Sequence, residues 1–214
     1  VISAFASGGP VLIHDATDRE GEVDLVYPAA AVEPADVARM RNDAGGLVCV
    51  ALSDTVCRTW DLPFVQEILD HPAGAAHDLG YAERSSFSLT VNHRNTYTGI
   101  TDDDRALTIS ELGAAAGEIA RETLVAGDDA TEAIATDADW FAEQFRAPGH
   151  VHLLRGAPDL LDDRKGHTEL GLELAAAAGR EPAVVVCEML DDETGGALSP
   201  AAALSYADRH GFPY

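Results

Sequence analysis

The sequence predicts an α/β (α+β) chain, a single domain whose mixed β-sheet is flanked by helices in a layered sandwich. Three observations carry that expectation. Strand-like and helix-like segments alternate irregularly, which favours a mixed sheet over a clean doubly wound one. Two segments, LVCVAL at 47–52 and AVVVCEML at 183–190, are almost continuously apolar, the signature of buried strands. Neither a G-x-G-x-x-G nor a Walker A motif occurs, so the nucleotide cradles of many parallel-sheet proteins have no support. With 214 residues, the chain suits one domain over 1–214 with a substantial core.

The elements follow in order. PVLIHD (10–15) and VDLVYPA (23–29) read as two short strands around the loop ATDREGE. Pro34 suits a first helical position, and residues 35–44 form a helix that stops at Gly45-Gly46. After the strand at 47–52, residues 53–82 carry no clear period. SFSLTV (86–91) alternates like a strand, and the polar HRNTYTGITDDDR reads as a loop. TISELGAAAGEIARETL (108–124) is a helix for which Thr108 or Ser110 offers a cap, and a shorter helix is expected near DDATEAIA. VHLLRG (151–156) and the strand at 183–190 flank a helix that begins near Thr168. A last helix runs from Ser199-Pro200 to Gly211.

Charge limits the partners. Asp and Glu number 37 against 14 Lys plus Arg, a formal net charge of −23. Without a basic stripe to neutralise phosphates, nucleic acid is excluded as a partner. No apolar run approaches the ~20 residues of a membrane span, so no membrane partner is expected. Three cysteines form no CxxC pair and no signal sequence is visible, which predicts a soluble cytoplasmic protein. The acidic excess, abundant alanine and single lysine match the style of an extreme halophile. Molar salt shortens the Debye length to about 3 Å and screens such self-repulsion.

Four constellations suit chemistry. DREGEVD spaces Asp18, Glu20, Glu22 and Asp24 two apart around Arg19. On extended backbone they would face one side, as a Mg²⁺ or Mn²⁺ site or as ordinary solvated carboxylates. RKGHTEL sets Arg164 and Lys165, the one lysine, before Gly166, His167 and Thr168 at a helix start. Free N–H groups there favour a phosphate, Thr168 can cap the helix or bind that phosphate, and His167 can ligate a metal. The bland reading is a capped helix with a surface histidine. In FRAPGHVHLL a Pro-Gly turn would present His150 as an acid or base, unless that histidine is structural. Glu188 ends an apolar strand, where a carboxylate is either salt-bridged or held for proton transfer. Together these pieces suit a metal-assisted acid/base enzyme acting on a small phosphorylated substrate. A sugar-phosphate isomerase, an aldolase or a sugar-phosphate-binding protein would use similar groups.

The motifs DREGEVDLVYPA, GGLVCVAL, YTGITDDDRALTI, FRAPGHVHLLRG and RKGHTELGLELAAAAGREPAVVVCEML, in this order, resemble those of the 3,4-dihydroxy-2-butanone 4-phosphate synthase family. The resemblance runs from about residue 3 to residue 205. It implies conversion of ribulose 5-phosphate into 3,4-dihydroxy-2-butanone 4-phosphate and formate for riboflavin biosynthesis. It also implies a homodimer that uses Mg²⁺ or Mn²⁺, two ions per subunit, and no organic cofactor. By the same resemblance Glu20 and His167 are metal ligands. Arg19, Glu20 and Asp24 contact substrate, as do Arg164, Lys165, Gly166, His167, Thr168 and Glu188. Glu188, His150 and Asp24 are the catalytic group. The acidic loop departs from the common bacterial Arg-Glu-Asn-Glu-Gly-Asp, with Gly21 and Val23 where Asn and Gly stand. No fused cyclohydrolase segment follows the last helix, so the resemblance implies the synthase activity alone.

Overall fold

A computed structural model describes residues 1–15, 19–74, 84–126 and 137–214. A short helix α1 (Ile2–Ala6) leads into β1 (Val11–His14), which pairs antiparallel with β2 (Val23–Pro28). Helix α2 (Pro34–Arg39) runs into one π-helical turn, Met40–Ala44, that Gly45 ends at φ +84°. Strand β3 (Cys49–Leu52) follows. The segment without a clear period holds two short helices, α3 (Asp54–Thr59) and α4 (Val65–Ile68). Then come β4 (Phe87–His93), α5 (Asp102–Ala126), α6 (Ala138–Gln144) and β5 (Phe145–Arg155). Helix α7 (His167–Ala177), β6 (Ala183–Glu188) and α8 (Pro200–His210) complete the chain.

The six strands form one sheet in the order β1-β2-β6-β3-β5-β4. Every neighbouring pair is antiparallel except β3 and β5, so the sheet is mixed. Period-two alternation sends Leu25, Val50, Val185 and Cys187 to one face, where they pack with Ile109, Leu112 and Ala116 of α5. Val26, Cys49, Ala51, Val184 and Val186 face the other way and meet Phe5 of α1 with Leu172 and Ala175 of α7. The result is helix on sheet on helix. Gly171 lets α7 approach closely, because a Cβ there would lie 2.8 Å from Cγ2 of Val184.

Several local expectations are corrected. Helix α5 starts at Asp102, not at 108: Thr101 Oγ1 accepts the Asp104 N–H at 3.1 Å and caps the first turn. Thr108 lies inside the helix, where its hydroxyl donates to the Asp104 carbonyl and accepts the His93 N–H, both at 3.0 Å. Three successive aspartates at 102–104 read as loop, yet acidic side chains also suit the positive end of a helix. Pro148-Gly149 is no turn between elements but part of β5. There the ladder steps from Val91–Val151 to Asn92–Arg146, so residues 147–150 protrude as a bulge. Helix α7 is capped at Gly166 rather than Thr168, with the Glu169 carboxylate accepting the Gly166 N–H at 3.3 Å. The short helix expected near DDATEAIA falls outside the described residues.

Candidate active site

A cleft of about 440 Å³ opens where the N-terminal end of α7 meets the Val26/Val186 face of the sheet. Sheet register builds its acidic floor, because antiparallel pairing sets Asp24 of β2 directly opposite Glu188 of β6. Asp24 is 2% exposed and its Oδ1 has no hydrogen-bond partner. Glu188 accepts the Leu47 N–H at 2.8 Å. The glycine pair before β3 has its reason here: a Cβ on Gly46 would collide with Glu188.

The acidic loop is not extended. Arg19 and Glu20 form a turn and Gly21 sits at φ +66°, a left-handed conformation that Asn also tolerates. Gly21 and the Asn of the bacterial pattern are therefore both compatible with this turn. Val23 begins β2 fully buried. Asp15, just past β1, holds the turn by accepting the N–H groups of Glu20 at 3.3 Å and Glu22 at 3.1 Å. Glu20, Glu22 and Asp24 thus still line one cleft, by a turn rather than by alternation. Asp18 lies outside the described residues.

His167, the first residue of α7, is 6% exposed. Its Nδ1 lies 3.5 Å from Asp24 Oδ1 and 3.7 Å from Glu20 Oε2, while its Nε2 is buried without a partner. Ligand atoms of Asp15, Glu20 and His167 all fall within 4.8 Å of one another. Oxygen-rich ligands with one imidazole and an unpaired buried nitrogen fit a divalent cation such as Mg²⁺ or Mn²⁺.

The ionisations are coupled. Loss of water pushes the Asp24 carboxyl up to about 8, although the His167 imidazolium pulls the other way. Burial opposes charge on His167, but Glu20, Asp24 and Asp15 outweigh it and raise the ring to about 9. His167 in turn holds Glu20 below the ordinary carboxylate value, against partial burial. Glu22 is raised by burial and by the neighbouring carboxylates of Glu20 and Glu188. Asp24 and His167 therefore titrate as a pair rather than singly.

Beside this acidic cluster the cleft is cationic, with Arg19 Nε 3.7 Å from Asp15 Oδ2 and Nη2 3.9 Å from Glu20 Oε1. A Cβ on Gly166 would lie 2.5 Å from Arg164 Nη1 and 3.1 Å from Arg19 Nη2, so two guanidinium groups converge on the N-terminal end of α7. Nε and Nη2 of Arg19 and Nε of Arg164 are buried without hydrogen-bond partners. Orphaned donors at a helix N-terminus form an anion site. Thr168, in the first turn of α7 and 4% exposed, lines the same wall. Fully buried Glu169 fixes it by accepting from Arg164 Nη1 at 2.8 Å and from the Ala157 N–H at 3.2 Å.

The structure brings together Arg19, Glu20, Asp24, Arg164, Gly166, His167, Thr168 and Glu188 from three separate segments. Lys165 is exposed and does not line the cleft. His150 is exposed on the β5 bulge and also lies outside the lining. Sequence reasoning missed Asp15, Glu169 and the opposite wall at Arg84–Phe87. A Glu three residues past a glycine at a helix start was the available signal for Glu169. Nothing local marked Asp15, a single acid among many.

The family model for 3,4-dihydroxy-2-butanone 4-phosphate synthase matches residues 1–214. The chain belongs to that family. Proteins of that name from Archaeoglobus fulgidus and Methanosarcina mazei are 45% and 44% identical to it, over the whole chain and 87% and 85% of their own lengths. A solved 3,4-dihydroxy-2-butanone 4-phosphate synthase in complex with two magnesium ions superposes with a TM-score of 0.77 at 30% identity. That comparison covers all of this chain and 89% of the other. The Candida albicans 3,4-dihydroxy-2-butanone 4-phosphate synthase gives 0.73 at 28% identity, over 99% of this chain and 89% of its own. Membership makes the chain an enzyme of riboflavin biosynthesis with a metal-assisted reaction. Among the described residues no helix is long and apolar enough to cross a membrane. The three cysteines are buried and free, and burial pushes the thiols of Cys57 and Cys187 up to about 12, so they serve as core rather than as nucleophiles.

Proposed function

We propose that this cleft converts D-ribulose 5-phosphate into L-3,4-dihydroxy-2-butanone 4-phosphate and formate. One observation carries the reading. Guanidinium donors of Arg19 and Arg164 that lack hydrogen-bond partners meet at the N-terminus of α7, beside the Asp15, Glu20 and His167 cluster. A sugar phosphate needs both ends: an anion anchor and a polarising site at the ketone.

The substrate phosphate docks on Arg164, Gly166 and Thr168, with Arg19 beside them, and Lys165 adds positive charge at the rim. That anchor fixes the sugar against the acidic floor and supplies much of the orientation the reaction needs. Glu20 and His167, with Asp15 adjoining, would hold Mg²⁺ or Mn²⁺, two ions per subunit. A cation there supplies Lewis-acid polarisation of the ketone and neighbouring hydroxyls. Asp24 and Glu188, facing each other across two strands, move the protons of enolisation, hydroxyl loss and carbon migration. Asp24 in its protonated form donates, and Glu188 accepts. No organic cofactor enters.

The whole chain, 1–214, works as one such domain, and the reading places it in the cytoplasm as a homodimer. His150 is exposed and does not line the cleft of its own chain, and in this reading its part in catalysis is played in the cleft of the second copy.

Formate release from ribulose 5-phosphate in molar KCl tests the proposal, first with Mg²⁺ and then with EDTA. Formate that depends on metal is the expected result, and Glu20→Gln should abolish it with the circular dichroism spectrum unchanged. Folded protein that releases no formate would instead favour a sugar-phosphate isomerase or aldolase. Full turnover by Glu20→Gln would remove the metal assignment.

A further inference from the structure

The loop at 94–101 and the end of β4 that leads into it contribute nothing to the cleft, yet their contacts are specific. Asn92, near the end of β4, is 3% exposed. It stands at the bulge in β5, where its amide reaches across to His150. The Asn92 Oδ1 accepts the backbone N–H of His150 at 2.8 Å, and Asn92 Nδ2 lies 3.1 Å from the His150 ring Nδ1.

The loop clamps that amide. The Asp104 carboxylate accepts the N–H groups of Tyr97, Thr98 and Gly99 at 3.2, 3.1 and 2.8 Å. Held this way, Gly99 sits at φ +88° directly against the Asn92 side chain, where a Cβ would overlap the amide. The bulge is pinned from the other side by the Gly149 N–H, which donates to Thr90 Oγ1 at 3.2 Å.

From this geometry we infer that Asn92 is a positioning residue that sets His150 in the Nε2–H tautomer. A backbone N–H can only donate, so the Asn92 atom facing it must be the oxygen. The other end of the amide is then an NH₂ group, and it faces Nδ1. If Nδ1 carried the proton, two donors would confront each other at 3.1 Å. The alternative Nδ1 to Oδ1 approach is longer, at 3.3 Å, and that oxygen already accepts the His150 N–H at 2.8 Å, so the nearer amide nitrogen decides the assignment. Nδ1 is therefore the acceptor, and the neutral ring presents Nε2–H outward. His150 offers substrate oxygen a hydrogen-bond donor rather than a base. The catalytic meaning of the inference rests on the role proposed above for His150; the tautomer does not.

The test uses full-length ¹⁵N-labelled protein in molar KCl, with a long-range ¹H–¹⁵N spectrum recorded where the ring is neutral and His150 assigned through His150→Gln. An unprotonated Nδ1 with a protonated Nε2 is expected. A protonated Nδ1, or signals averaged between tautomers, would overturn the inference. Asn92→Asp keeps the acceptor for the His150 N–H but replaces the donor facing Nδ1, so the proton should move to Nδ1. Its kcat should fall between about 10- and 100-fold with KM for ribulose 5-phosphate changed less than about twofold. Wild-type kcat with a switched tautomer would overturn the positioning role. Should His150→Gln itself keep wild-type kcat, the role given to His150 fails while the tautomer stands. If Asn92→Asp does not fold, the wild-type spectrum still decides the tautomer.

Discussion

Asp24 and His167 lie 3.5 Å apart in a pocket that water barely reaches, and their ionisation ties the site to stability. Asp24 is raised from 3.8 to about 8 and His167 from 6.5 to about 9. Both groups hold protons more tightly folded than unfolded, so each stabilises the fold at low pH and loses that contribution as pH rises through its folded value. Glu20 is shifted the other way, but its contribution is complete well below neutrality. The melting temperature of EDTA-treated protein should therefore fall between pH 6.5 and 9, and Asp24→Asn should flatten the decline. A melting temperature that rises across this window would mean that Asp24 folds as a carboxylate. Most of the site was legible residue by residue, because charged groups in apolar or glycine-rich surroundings stand out. Asp15 was not legible, since its role comes from two backbone N–H groups that only the turn brings to it.

At the scale of elements, α7 does the most for the site: its first turn carries His167 and Thr168, and its cap is flanked by two arginines. Its depth against β6 is set at Gly171. Gly171→Val should cost about 1–3 kcal/mol through overpacking against Val184 and lift the helix end from the anion site. Chemical denaturation and the KM for ribulose 5-phosphate check both effects; unchanged KM with reduced stability would separate packing from positioning. The strands were readable from apolar runs, and helix stops from Gly45 and Gly211, both in left-handed backbone. The start of α5 was not readable, because a hydroxyl at Thr101 and one at Thr108 look alike until the chain shows which faces a free N–H. The Pro-Gly pair before His150 misled for a related reason: a bulge needs the same residues as a turn, and only the partner strand distinguishes them.

For the whole molecule, a net charge of −23 is the dominant property. Self-repulsion at that density opposes compaction unless salt screens it. Circular dichroism should show structure lost as KCl is diluted from molar to ~0.1 M, where screening extends only to about 10 Å. Retained structure and activity at low salt would contradict a halophilic setting. Magnesium at millimolar levels should recover part of the loss by binding the clustered carboxylates, whereas sodium at equal ionic strength should not.

By itself the sequence determined the class of fold, the order of most elements, the family and most residues of the cleft. Those properties depend on periodicity, on turn-forming residues and on motifs, all of which are local. Only the tertiary structure decided that Asp24 faces Glu188, that Arg19 rather than Lys165 joins Arg164 at the anion site, and that Asn92 grips His150. Each of these is a contact between segments far apart in the chain. Sheet register, helix depth and loop closure set such contacts, and those are fixed by the packing of the whole rather than by any stretch of it.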